Sequence, residues 1–121
     1  MEIRVVNLHE KADLIEELHQ YKLIAELNNY QVKLVKAKRE FIWHSHPETD
    51  ELFFMVRGKM QLDFRDRIFD VKKGELIVVP KGVEHKPVCK TECTVMLIEP
   101  RETLNTGNAG GPLTDTNVEW I

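Results

Sequence analysis

The sequence lacks the features that mark a membrane, secreted or nucleic-acid-binding protein. Its apolar runs are short, as in Leu52–Val56, whereas a helix needs roughly 20 apolar residues to cross a bilayer. The N-terminus has no apolar signal segment, and with only two cysteines we expect free thiols in a reducing cytoplasm. A formal net charge of -3 offers no broad basic surface. We therefore expect a cytoplasmic protein without a membrane or nucleic-acid partner.

The length of 121 residues predicts one domain with a single core. We interpret residues 1–20 as a short N-terminal strand and a helix, residues 21–99 as a barrel, and residues 100–121 as a tail. The strand is expected near residues 3–6 and the helix over residues 8–19, where Asn7 and Glu10 resemble a capping box. Serine-protease, P-loop and dinucleotide-binding patterns are absent from the sequence.

Short β-type segments separated by turn residues fill most of the chain. About nine such segments with frequent Gly, Pro, Asn and Asp signals favour an all-β sandwich or barrel. Strands are predicted over residues 21–27, 30–37, 41–46, 52–56, 59–64, 67–71, 76–79, 87–89 and 94–98.

The organising stretch of the sequence is Trp43–Gly58, which reads WHSHPETDELFFMVRG. On a strand, His44 and His46 leave the same face because side chains alternate with a period of two. The turn formers that follow would send the chain back so that Glu51 emerges beside His46. Two imidazoles and a carboxylate form a ligand set that suits borderline divalent metals.

A second stretch, Gly74–His85, reads GELIVVPKGVEH and supplies a third imidazole from a distant strand. His85 completes a set of four candidate ligands with the first stretch. The alternative is a set of buried polar residues that satisfy one another, and two separately spaced patterns make that interpretation much weaker.

Together the two stretches resemble the two motifs of the cupin superfamily. The resemblance is to small single-domain bacterial cupins of the cupin type-2, mannose-6-phosphate isomerase-like kind. Two positions depart from the motifs: Lys38 stands where the first motif opens with Gly, and Cys89 where the second usually closes with Asn.

The resemblance implies an all-β fold, a small double-stranded β-helix (jelly-roll) barrel with one short N-terminal helix. It also implies one divalent transition metal ion, Fe, Mn, Ni, Zn or Cu, with ligands His44, His46, Glu51 and His85. Such a metal could polarise a carbonyl or hydroxyl oxygen, or lower the pKa of a bound water.

Three functions remain open at this stage. The first is a metal-dependent enzyme, a dioxygenase or isomerase, that acts on a small polar molecule. The second is a non-catalytic module that binds a small molecule or sugar, and the third is a structural dimer that the metal stabilises. Because cupins host many chemistries, the resemblance does not choose among them.

The surroundings of the site allow two interpretations. Ile42, Phe53 and Met55 would form an apolar pocket wall beside the metal, or simply pack in the core. The basic run that includes Lys33 and Arg39 is interpreted as a solvated strand face. The sequence therefore predicts no cationic group inside the pocket, which argues against a sugar phosphate as the substrate.

Apolar residues on the outside of the predicted barrel suggest a partner. The strand Leu52–Val56 is apolar on both faces, and Trp43 lies opposite the metal side. We therefore expect a homodimer that buries Trp43 or Phe54. The tail ends in Trp120 and Ile121 after a glycine-rich segment, and we expect this end to dock on the barrel or on a partner subunit.

Overall fold

Two antiparallel sheets and one short helix form the protein, and the computed structural model describes residues 2–121. The single helix of these residues is far too short and polar to cross a membrane. The elements in chain order are α1 (Leu8–Leu14), β1 (Lys22–Leu27), β2 (Tyr30–Ala37), β3 (Glu51–Arg57), β4 (Lys59–Phe64), β5 (Ile68–Lys72), β6 (Leu76–Val79), β7 (His85–Val88), β8 (Cys93–Pro100) and β9 (Glu119–Trp120).

The larger sheet has six strands in the order β6-β3-β8-β2-β1-β9, and the smaller has three in the order β5-β4-β7. The two sheets face each other across the main apolar core, which includes Val35, Phe53, Met55, Leu62 and Val95. Strand β3 alternates as predicted, with Glu51, Phe53 and Met55 buried on the inner face. This is the all-β barrel with one short helix that the resemblance implies.

The N-terminal segment differs from the prediction. No strand forms over residues 2–7, where Ile3 and Val5 are almost fully exposed. The Asn7 cap is as predicted, because its side chain accepts a hydrogen bond from the Glu10 N–H at 3.0 Å. The helix ends at Leu14 rather than at residue 19, and the Ile15 N–H bonds the Ala12 carbonyl at 3.1 Å.

A second apolar cluster covers the outer face of the larger sheet. Ile15 beyond the helix end packs there with Ile24 and Leu34, and half-buried Phe54 contacts the same cluster. Trp43 is half-buried under the Arg65 guanidinium, whose central carbon lies 3.9 Å from the ring centroid. The chain itself thus covers most of the two surfaces from which the sequence predicted a dimer.

The tail runs back over the barrel and ends as a strand. Strand β9 pairs in parallel with β1, and the Ile121 N–H donates to the Leu23 carbonyl at 3.1 Å. The ammonium group of Lys11 on the helix donates a hydrogen bond to the Ile121 carbonyl at 2.6 Å. Ile121 packs in the outer apolar cluster, whereas Trp120 remains 48% exposed.

Candidate metal centre

The two histidines of the first motif lie on an extended segment rather than on a regular strand. The predicted strand over residues 41–46 is replaced by isolated bridges, in which Glu40 pairs with Val88 and His44 with His85. The His44 N–H donates to the His85 carbonyl at 3.0 Å, and the reverse bond measures 2.9 Å. The His44 segment therefore runs beside β7, and this pairing brings the two motifs together.

The structure brings all four predicted residues to one point. The side chains of His44, His46, Glu51 and His85 are buried, and one donor atom from each lies within 4.8 Å of the other three. Glu51 Oε1 lies 3.2 Å from His46 Nε2 and 3.3 Å from His85 Nε2. These four residues, the metal cluster, have the size and composition that could hold one metal ion.

Backbone carbonyls orient two of the imidazoles. His44 Nδ1 lies 3.0 Å from the Ile42 carbonyl, and His85 Nδ1 lies 2.9 Å from the Val83 carbonyl. A carbonyl only accepts hydrogen bonds, so each Nδ1 carries the proton and each Nε2 keeps a lone pair. This arrangement is typical of metal-binding histidines, whose second nitrogen is held by an outer partner.

Three of the converging atoms have no hydrogen-bond partner among residues 2–121. They are His46 Nε2, His85 Nε2 and Glu51 Oε1, all fully buried. The distances within this trio are short enough for an ion pair, but the atoms are not aligned for hydrogen bonds. Buried polar atoms are rarely left unsatisfied. A divalent cation would satisfy all three, so the donor set fits a metal.

The electrostatics keep the ligand atoms in the forms that bind metals. Burial, and then the charge of His85, lower the pKa of His44 to about 4, so this imidazole is neutral near pH 7. Burial alone would raise the pKa of Glu51, but contacts with His46 and His85 outweigh it and hold that pKa well below its usual range. Glu51 is therefore a carboxylate at neutral pH.

A second polar cluster lies beside the first and was missed in the sequence. The register that pairs Leu52 with Ile98 places Glu51 opposite Glu99 on β8. Glu99 Oε1 lies 2.9 Å from Lys33 Nζ, which also donates to the Thr103 carbonyl at 3.2 Å. The interpretation of Lys33 as a solvated residue is wrong, because it is 4% exposed and points into the barrel.

A narrow cavity of about 40 Å³ opens beside the metal cluster. Its walls include Phe41 and Phe53, whose rings pack 5.4 Å and 6.0 Å, centroid to centroid, from those of His44 and His85. Tyr21 and Arg39 supply polar lining. Of the three residues expected as a pocket wall or as core, Phe53 lines the cavity and also packs in the core, whereas Met55 is fully buried core and Ile42 does not line the cavity.

The inward position of Arg39 corrects the interpretation of the basic run as a solvated face. The alternation of side chains along a strand could not predict this position, because Arg39 lies after the end of β2. Its backbone is held by the turn between β7 and β8. The Cys89 N–H donates to the Arg39 carbonyl at 2.8 Å and fixes that position. Cys89 and Cys93 are free thiols, as predicted, with their sulfurs 3.0 Å apart.

The tail braces the segment between the first two histidines. The Ser45 N–H donates to Asn108 Oδ1 at 2.8 Å, and the Asn108 N–H donates to the Ser45 carbonyl at 3.0 Å. Gly107 lies so close that a Cβ there would overlap the Ser45 carbonyl, and its φ is +53°. Only glycine fits this approach without strain.

Comparison with known proteins identifies the class that this barrel and buried cluster define. Residues 31–99 match the Cupin domain family. The chain is 48% identical to a cupin-2 domain containing protein of Shewanella frigidimarina, with a TM-score of 0.78 over 80% of this chain and 95% of that one. The chain belongs to the cupin family.

Two further relatives support this membership. Protein NMB1881 of Neisseria meningitidis is 34% identical, with a TM-score of 0.73 over 80% of this chain and 99% of that one. The Bacillus subtilis protein YdbB is 34% identical over 84 residues, which is 69% of this chain and 74% of that protein.

Proposed function

We propose that this cupin is a divalent-metal-dependent enzyme that acts on a small polar molecule, with His44, His46, Glu51 and His85 as the metal ligands. The observation that supports the proposal most directly is the convergence of four buried donor atoms, three of which have no hydrogen-bond partner among residues 2–121. Three imidazoles and one carboxylate leave coordination positions open on a six-coordinate ion. A bound metal would polarise a substrate oxygen or a water molecule there.

Tyr21 is the candidate for donating a hydrogen bond beside the metal. Burial of its hydroxyl, and then the charges of Glu51 and Glu99, raise the pKa of Tyr21 far above its ordinary value, although part of the residue is exposed. The phenol therefore keeps its proton at neutral pH and donates hydrogen bonds. In the proposed enzyme Tyr21 orients a substrate oxygen by donating a hydrogen bond to it.

The cavity supports a small substrate, whether the reaction is of the dioxygenase or of the isomerase type. Its volume of about 40 Å³ admits only a few non-hydrogen atoms. Apolar rings of Phe41 and Phe53 form much of the wall between the cavity and two of the ligand histidines. Such walls exclude bulk water from the reacting atoms and strengthen the electrostatic interactions there.

The test compares His46→Ala with His9→Ala, in which an exposed histidine outside the cluster is removed. Elemental analysis of purified protein should find one divalent metal ion per chain in the wild type and in His9→Ala, and nearly none in His46→Ala. Full occupancy of His46→Ala at unchanged affinity would show that the ligand assignment is wrong.

Catalysis is tested separately, by screening small hydroxy, keto and amino compounds with the metal-loaded protein, with and without oxygen. Oxygen-dependent turnover supports a dioxygenase, and turnover in both conditions supports an isomerase. A fully loaded protein that binds compounds from the screen without turning any of them over would instead be a binding module.

We also propose that the protein forms a homodimer, through a surface other than the one the sequence suggested. Strand β6 is an edge of the larger sheet, and Leu76 and Val78 on it are 59% and 48% exposed. An exposed apolar edge favours pairing with another copy. Sedimentation at high micromolar concentration should show a dimer for the wild type and a monomer for Leu76→Glu. A wild-type monomer at that concentration would contradict the proposal.

A further inference from the structure

The cavity beside the metal cluster contains one guanidinium that has no hydrogen-bond or ion-pair partner among residues 2–121. Arg39 lines this cavity and is half-buried. Its side chain donates no hydrogen bond to any group of residues 2–121, and no carboxylate oxygen of these residues lies within 4.0 Å of its nitrogens. A guanidinium carries five N–H donors in a planar fork, so this side chain has an unused capacity for recognition.

The other stacked arginines of the described residues show that this situation is specific to Arg39. Arg39 stacks on Phe41 at 4.9 Å, as Arg65 stacks on Trp43 and Arg67 on Phe69. Arg65 is paired with Glu84 at 3.2 Å, and Arg67 lies 3.8 Å from Asp66. Of the three, only Arg39 has no carboxylate oxygen of residues 2–121 within 4.0 Å of its nitrogens.

Neighbouring groups hold Arg39 in place without neutralising it. Stacking on Phe41 fixes the plane of the guanidinium, and the backbone bond from Cys89 fixes the chain below it. The charge of Asp115 acts on Arg39, but its carboxylate is already engaged by the N–H groups of Tyr21 at 2.9 Å and Asn117 at 3.0 Å. A fixed, half-desolvated fork of this kind is preorganised for a planar anion.

We infer that Arg39 binds the carboxylate of a small organic acid in the cavity that adjoins the metal cluster. This inference rests on the proposed function, since it names the substrate class of the same site. The fork matches a carboxylate in a bidentate geometry, and a phosphate is disfavoured because one guanidinium in a cavity of about 40 Å³ offers too few donors and too little room. Phe41 contacts both Arg39 and His44, so the carboxylate position lies one aromatic ring away from the metal cluster.

The experiment measures the binding of acetate and of its neutral analogue acetamide to zinc-loaded and metal-free protein, by titration calorimetry at constant ionic strength. The wild type should prefer acetate by about 10- to 100-fold, the value of a charge-assisted hydrogen bond. Arg39→Met should lose this preference, and Arg39→Lys should keep part of it. Arg67→Met removes a similarly stacked but exposed arginine, and this variant should keep the wild-type preference for acetate over acetamide.

The NMR signal of the Arg39 Nε–H gives a second readout that does not depend on calorimetry. It is assigned by its absence in Arg39→Lys, and it should shift on addition of acetate but not of acetamide. An unshifted signal, or an acetate preference that survives in Arg39→Met, would overturn the inference.

The two proposals fail in distinguishable ways. If the protein holds metal but shows no preference for acetate, the carboxylate inference is wrong and the metal centre stands. If no metal binds but the metal-free protein prefers acetate through Arg39, the metal centre is wrong and the anion site stands.

Discussion

Two buried polar clusters lie side by side in this barrel, and they differ in how their atoms are satisfied. In the cluster of His44, His46, Glu51 and His85, lone pairs converge on one point and three atoms have no partner among residues 2–121. In the neighbouring pair, the Lys33 ammonium donates to Glu99 Oε1 at 2.9 Å and to a backbone carbonyl, and Glu99 Oε2 is the one buried side-chain oxygen of the pair without a partner among residues 2–121. A cation from outside the chain would complete the first cluster, whereas the second already contains one.

This difference separates a binding site from a structural ion pair. Burial does not distinguish the clusters, since Glu51 is 2% exposed and Glu99 is 1% exposed. Burial, and then the adjacent Glu51 carboxylate, raise the pKa of Glu99, and Lys33 opposes this rise. The balance of donors and acceptors is therefore the property that identifies a metal centre, because metals replace donors among converging acceptors.

The largest effect on stability is expected when the internal cation is removed. Lys33→Met leaves the Glu99 carboxyl buried beside Glu51 without its ammonium, and breaking a buried pair in this way costs about 3–5 kcal/mol. Urea unfolding of the metal-free protein should show a loss of this size.

The matched control is Lys22→Met, whose ammonium lies 3.7 Å from Glu119, a side chain that is 63% exposed. An exposed pair contributes roughly 0.2–1 kcal/mol. Equal losses in Lys33→Met and Lys22→Met would mean that the Lys33–Glu99 pair is no more important than a surface pair.

The second effect is the increase in stability that a divalent metal ion should produce when it binds the metal cluster. A divalent metal at about 100 times its dissociation constant should raise the free energy of unfolding by about 2.7 kcal/mol, since it binds the folded state. His85→Ala removes one ligand and should abolish this increment, whatever its own stability. Lys33→Met should keep the increment. A metal-dependent increase in the melting temperature of His85→Ala as large as in the wild type would contradict the distinction between the two clusters.

The smallest effect tests how the tail supports the metal cluster. Asn108→Ala removes the oxygen that accepts the Ser45 N–H between the two histidines, and loss of such outer support typically weakens metal binding about 10- to 100-fold. Competition with a chromogenic chelator measures the affinity. Asn117→Ala, a change at an exposed position of the same tail, is the control. An unchanged affinity in Asn108→Ala would limit the tail to a covering role.

The barrel could be predicted because its strands carry local signals. Turn residues and alternating apolar side chains located β2, β4 and β6 at the bounds that the structure shows. The failures are at segments whose conformation depends on distant partners. Residues 41–46 pair only through isolated bridges with the β7 region, and residues 2–7 form no strand because no neighbouring strand accepts them.

The sequence by itself indicated the four residues that converge, through the local spacing of His44, His46 and Glu51 and through the resemblance of the second stretch, which carries His85, to a known motif. Only the tertiary structure decided where Lys33, Arg39 and Glu99 point. Lys33 and Glu99 meet through the pairing of strands 66 positions apart, and Arg39 faces the cavity because Cys89 holds its backbone there. From the sequence alone a charged side chain is expected to be solvated. Its burial depends on partners that come from distant parts of the chain and is known only from the tertiary structure.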